Sequence, residues 1–323
     1  MSERITTAWL AGTLLGVTLL TSAAAANSDT IILRAPGLVP EGVECDTKNK
    51  RFVGGSLSHG TVFKVADDGT VTPFVEDPDL KSSVGIEVDE ARNRLYVANS
   101  DAAVFEGQSA GQAKLGIYDL STGKRIAMID LAAAGPREAK SHFANDVTVA
   151  QDGTLYVTDS MARVLYKVDT QNKVTVWLPD SSADAKEFMW NGIAAHPSAS
   201  FLIVAESTAG TLYKVPLATP ERFMKVKLSE PVVGADGIVW HPDGRRLLVV
   251  RNDASKSVVA LKSSDEWRSA TVDSRGSFGS QHGCGEREGS LCRSAVFHRS
   301  RRQPDPRACA AEVSPVRDPF REA

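Results

Sequence analysis

HFANDVTVAQDGTLYVTDS, residues 142–160, carries a polar pair, an alternating apolar run, an Asp-Gly turn and a second apolar-aromatic run ending in a polar cluster. Period-2 alternation over VTVA and TLYVTD is the mark of half-buried β-strands, and Asp152-Gly153 is a tight-turn dipeptide that folds one run back on the other. The pattern recurs four more times. The leading pairs are Glu41-Gly42, Val84-Gly85, Asn145-Asp146, Asn191-Gly192 and Asp236-Gly237. Apart from one longer interval they lie roughly 45 residues apart, the period of four-stranded propeller blades. The innermost strand of each blade runs along the central axis, so equivalent positions in different blades converge on one face.

Each repeat divides into four runs bounded by Gly, Asp, Asn or Pro. Blade three reads NDVTVA, TLYVTDS, VLYKVD and KVTVWLP, and blade four NGIAAH, FLIVAES, GTLYKVP and RFMKVKL. Residues 101–113 form a small, polar loop before blade three, of the kind that caps a pocket on a propeller face. Residues 131–140 have room for a short helical turn. The expected fold is an all-β, six-bladed β-propeller with five readable blades.

Composition is that of a globular protein: 323 residues, 42% hydrophobic and 24% charged. A net charge of −3 gives no electrostatic case for nucleic acid or an anionic membrane. Residues 1–26 read as a signal peptide, with Arg4, a short apolar core and Ala24-Ala25-Ala26 as cleavage residues. The core is too short for a membrane anchor. A secreted or periplasmic protein without a membrane span is expected, its propeller covering 27–273.

Residues 274–323 depart from this pattern. From Asp273 onward the chain holds nine Arg and no Lys, few aliphatic residues and no alternation. The expectation is an irregular tail in place of a sixth blade, read first as the result of a late shift of reading frame and alternatively as a natural, disordered Arg-rich tail. Cys284, Cys292 and Cys309 lie in it, whereas Cys45 stands alone in the regular part and reads as a small buried hydrophobe. His282, Cys284, Cys292 and His298 fit no zinc spacing. No G-x-S-x-G elbow is present.

Four of the five leading pairs begin with an oxygen donor: Glu41, Asn145, Asn191 and Asp236. Two carboxylates and two amides make a hard ligand set that selects calcium, magnesium or manganese over zinc. Such a set leaves coordination positions for water or substrate.

PEGVECD, HFANDVTVAQDGTLYVTDS, WNGIAAHP and GADGIVWHPDG resemble the senescence-marker/gluconolactonase family of six-bladed propellers. The resemblance implies a divalent cation, calcium first among candidates, at the top of the channel, held by Glu41, Asn145, Asn191 and Asp236. It also implies that Asp236 acts as general base or nucleophile on a lactone or related ester. Sugar-lactone hydrolases of the family carry an Arg where this chain has Phe143, and an apolar ring cannot replace that fork of donors. Phe143 and Trp190 are expected as apolar substrate walls, with His142 as a proton carrier. The alternative readings are a non-catalytic binding propeller and an inactive member lacking its last blade.

Overall fold

The computed structural model describes residues 35–277 apart from 36, 67–68, 179–188 and 242, together with the backbone of Thr30–Ile32, Val296–Arg299 and Cys309–Glu312. The expected signal peptide lies outside the described residues. Among them, no helix is long and apolar enough to cross a membrane.

Five antiparallel blades follow one another, led by Pro40–Asp46, Ser82–Asp89, His142–Val149, Trp190–Ala195 and Ala235–Trp240. Their second strands are Arg51–Ser56, Arg94–Ser100, Leu155–Asp159, Phe201–Glu206 and Arg246–Arg251. In blade three Val147 faces Val157 and Val149 faces Leu155, as the alternation requires. The turn between these strands places Gly153 at φ +92°, where a side chain is disfavoured, and Asp152 Oδ1 accepts from Thr154 N at 2.9 Å. Each first strand shifts register at its leading pair, between Ala144 and Val147 in blade three and Ala235 and Ile238 in blade five. These bulges re-aim the leading side chains.

Packed faces between successive blades hold the ring together. Ile86, Leu95 and Val97 meet Val53 and Val62 between blades one and two, and Leu165, Tyr156 and Trp190 fill the joint between three and four. Burial of each such side chain stabilises by about 1.5–3 kcal/mol. Near the axis glycine sets the spacing. A Cβ at Gly42 would meet Val84 and Gly85, one at Gly85 would meet Asn145 and Asp146, and one at Gly192 would meet Asp236, all within 3.0 Å. Gly237 of blade five meets nothing within 4 Å among the described residues, and Val239 beside it is 39% exposed.

The fourth strand expected for blade four is divided. Met224–Lys225 pairs with Tyr213 and Lys214 of blade four, whereas Lys227–Leu228 runs parallel to Ser269 and Ala270 at the edge of blade five. The loop after blade two's second strand is also structured. Ala102–Glu106 forms a 3-10 turn, and Gly111–Gln112 adds in parallel to His142 and Phe143. A second 3-10 turn, Ala132–Ala134, falls in the segment expected to hold one.

Two expectations about the tail are corrected. Strand structure does not stop at Asp273: blade five's last strand runs Ser269–Ser277, and Val296–Arg299 pairs antiparallel with both Thr30–Ile32 and Cys309–Glu312. Four-residue strands need little alternation to form, so a composition rich in Arg did not forbid them. Backbone of Cys309–Glu312 lies next to Pro40–Asp46 of blade one, so a three-stranded sheet adjoins the side of the ring expected to be empty. Cys45, expected as a free buried thiol, is disulfide-bonded. Every other cysteine of the chain lies at 284 or beyond.

Candidate active site

Apart from the pairing of Gly111–Gln112 with His142 and Phe143 and the single bridge of Ser56 with Ser83, the first strands have no neighbouring strand on their inner side among the described residues, and side chains of the preceding blade replace it. For blade four, Ser160 Oγ donates to Trp190 O at 2.6 Å and Thr158 Oγ1 to Asn191 O at 2.8 Å. Ile193 N donates to Asp146 Oδ2 at 2.9 Å and Ala195 N to Thr148 Oγ1 at 3.2 Å. Between blades two and three, Val149 N donates to Glu87 Oε1 at 3.3 Å. Buried backbone groups are thereby satisfied, and the positions of the leading residues are fixed relative to one another.

Within this frame Glu41, Asn191 and Asp236 interact with one another, and Asn145 leads the first strand of blade three. Asn145 is buried and its Nδ2 donates to Ser160 Oγ at 3.0 Å, leaving Oδ1 without a protein partner among the described residues. Asn191, equally buried, reaches the Asp236 carboxylate, as does Asn252 from the turn after blade five's second strand. Glu41 stands near enough to Asp236 and Asp146 for both charges to act on it.

Electrostatically the cluster is strained. Burial, then the charges of Asp236 and Asp146, push the Glu41 carboxyl well above the usual range. Asp236 is raised by burial, against the lowering effect of its Asn191 and Asn252 hydrogen bonds. Burial lifts Asp146 to about 7 although the amides of Ile193 and Val147 oppose it. Further along the channel, burial and Asp146 raise Glu44 to about 8, and burial and Glu44 raise Glu87. Among the described residues no His, Cys, Asp and Glu group of three or more converges tightly enough to hold an ion. The candidate set draws half of its oxygens from amides. Its chemistry fits a hard divalent cation: two close carboxylates whose charges oppose each other, and two amides whose nitrogens are engaged while an oxygen stays open.

The expected substrate walls are placed differently. Phe143 is 2% exposed, its ring 4.7 Å from that of Phe105 in the loop above it. Trp190 is fully buried between blades three and four, with Nε1 donating to Arg163 O at 3.2 Å. Neither ring presents a wall to solvent; both support the strand starts from beneath. His142 is half-buried, and its Nδ1 lies 2.8 Å from Oδ2 of Asp159, a fully buried carboxylate that also accepts from the amides of Phe143, Met161 and Ala162. That hydrogen bond raises the His142 pKa. Asn252, Glu44 and Glu87 escaped the sequence reading. Asn252 belongs to no repeated pair, while Glu44 and Glu87 occupy matching places in GVECD and GIEVD and could have been found there.

Sequence and fold comparisons define the class. The signature of the SMP-30/gluconolactonase/LRE-like region matches residues 39–245, and the chain belongs to that family. No curated protein matches it in sequence. Among solved structures it is similar to the major allergen Mala s 1 of Malassezia sympodialis, at 18% identity and a TM-score of 0.68 over 85% of this chain and 91% of that one. A gluconolactonase from Xanthomonas campestris aligns at 17% identity and 0.54 over 72% and 75%. The Cps50 (Swd1) β-propeller domain of Myceliophteria thermophila aligns at 17% and 0.50 over 73% and 69%. At these identities the likeness concerns the fold, which is a β-propeller.

Proposed function

We propose that this chain is an exported, divalent-metal-dependent hydrolase of a lactone or related ester. One observation supports the reading: Glu41, Asn191 and Asp236, from three blades, interact with one another, and Asn145 leads the first strand of a fourth with its amide nitrogen held by Ser160. Family membership and the likeness to a gluconolactonase support a lactonase-type reaction.

Glu41, Asn145, Asn191 and Asp236 would hold the cation, with calcium favoured by the all-oxygen set. When bound, such an ion polarises a carbonyl and stabilises the charge that develops on its oxygen. Asp236 would take a proton from water, or attack the carbonyl carbon itself. Asn191 and Asn252 fix the carboxylate's orientation for either role. Glu41 brings a second negative charge and no comparable amide support. The leader sequence supports export.

The test is hydrolysis of a panel of aliphatic lactones, aldonolactones and aryl esters, in chelator and after calcium is restored. Turnover that disappears with chelator and returns with calcium is expected. Calcium-dependent thermal stabilisation without hydrolysis of any member would favour a binding propeller, and indifference to chelator in both readouts would sink the metal assignment.

A further inference from the structure

At the far end of the inner strands, opposite the candidate metal ligands, blades four and five enclose a cavity of about 440 Å³. His196 supplies one wall, and Trp267, Arg245, Arg246, Lys262 and Glu266 complete the part that bears on its chemistry. An aromatic cluster lies behind it. The His196 ring stacks on Phe201 at 4.3 Å and meets Trp240 edge-on at 4.5 Å, and Trp240 meets Trp267 at 5.0 Å.

The unspent polar groups around this cavity are nearly all donors. Asp243, the other acid at the wall, accepts from Arg246 Nε at 2.7 Å and from the amides of Arg245 and Arg246. Lys262 Nζ is engaged by Asp273 at 2.6 Å. The Arg245 guanidinium, by contrast, has no partner among the described residues. His196 Nδ1 accepts from Ser198 N at 3.1 Å, so the neutral ring carries its proton on Nε2, and burial with the nearby Lys214 keeps it neutral. The Trp240 indole N–H is buried and has no acceptor. Glu266 is exposed at the rim, where Lys214 Nζ donates to its carbonyl. Backbone geometry singles out the same wall: Glu266 and Trp267 are consecutive non-glycine residues at φ +59° and +65°. A left-handed tryptophan is costly and persists only where surroundings demand it.

From this arrangement we propose a second binding site, for a flat aromatic monocarboxylate. Its carboxylate pairs with Arg245 and its ring lies against His196 and Trp267. A single unpaired guanidinium matches a single negative charge, and aromatic walls favour a planar body. The site is independent of the lactonase reading, since it lies at the opposite end of the blades.

Titration of the intact protein with 2-naphthoate, followed by tryptophan fluorescence and calorimetry, tests this. One saturable equivalent is expected, with 2-naphthylmethylamine about tenfold weaker or worse and inorganic phosphate unable to compete. Arg245→Ala should weaken naphthoate about tenfold and leave lactone hydrolysis unchanged. Trp267→Phe should abolish most of the fluorescence response while calorimetry still reports binding. Absence of saturable naphthoate binding to the wild-type protein, equal affinity for the amine, competition by phosphate, or an Arg245→Ala protein that binds naphthoate normally would each overturn the proposal.

Discussion

Replacing Cys45 by Ser should cost this protein more than any single core truncation outside the ring joints. Cys45 is disulfide-bonded, and the remaining cysteines stand at 284, 292 and 309, so the closed loop spans roughly 240 to 265 residues whichever of them it joins. Loop-closure entropy depends on the logarithm of that length. The expected contribution is about 5 kcal/mol, and the three choices of partner differ by only about 0.1 kcal/mol. For a domain of this size each kcal/mol moves the melting temperature by about 2–4 °C. Urea denaturation of wild type, of wild type with a phosphine reductant and of Cys45→Ser, monitored by tryptophan fluorescence, measures the effect. Reductant and mutation should lower the midpoint equally, and reductant should do nothing further to the mutant. A Cys45→Ser protein as stable as oxidised wild type would refute the reasoning, because it would mean that the long loop closed through Cys45 constrains nothing in the unfolded chain.

The other predictions concern the channel and the ring. Asp236→Asn should retain most calcium affinity, measured by calorimetry, and lose turnover, since an amide oxygen still ligates but cannot take a proton; Glu41→Gln should weaken calcium first. In chelator, stability should fall between about pH 4 and pH 8, because Glu44 and Asp146 titrate near 8 and 7 in the folded protein and near 4 when unfolded, so the folded state binds more protons across that window. Glu44→Gln should flatten the upper part of this slope in pH-dependent melting, and an unchanged slope would discard the assignment. His142, raised by Asp159, should contribute stability that is complete below about pH 6.5 and fades as pH rises through its folded pKa; His142→Gln should remove that fading. Gly85→Ala and Gly192→Ala should each cost about 1–3 kcal/mol by overpacking, whereas Gly237→Ala should be neutral or slightly stabilising.

Legibility in the sequence followed the strength of local signals. Alternation and Asp-Gly turns act within a few residues, so the five blades and the positions of Glu41, Asn145, Asn191 and Asp236 on the first strands could be read directly. RFMKVKL was harder, because one apolar run can serve two sheets, and only its Lys227 and Leu228 find the blade-five edge. Phe143 and Trp190 were placed at the site by sequence proximity to the ligands. Bulges at the leading pairs turn successive side chains onto different faces, which proximity alone does not reveal. Cys45 looked solitary because its partner is distant in the chain. Glu44 and Glu87 repeat in GVECD and GIEVD, but each stands two residues past its blade's leading glycine and not at the first position, where the oxygen donors recur.

The divided strand at 224–228 has a bearing on how such a chain can be cut and rejoined. Blade four lends its continuation to blade five: Lys227 N donates to Arg268 O at 2.9 Å and Ser229 N to Ala270 O at 3.0 Å, while two residues earlier the same segment closes blade four. Neither blade is a self-contained module. A circular permutant or split pair opened before Met224 or after Ser229 would strip an edge from one blade, and a cut between the two strands falls at Val226, which is buried and whose amide donates to Leu212 O at 2.8 Å. Between blades one and two the strand pairing among the described residues is the single bridge of Ser56 with Ser83, and the rest of the joint is side-chain packing, so new termini or an inserted domain in the loop that joins those blades would leave every blade its own edge strands.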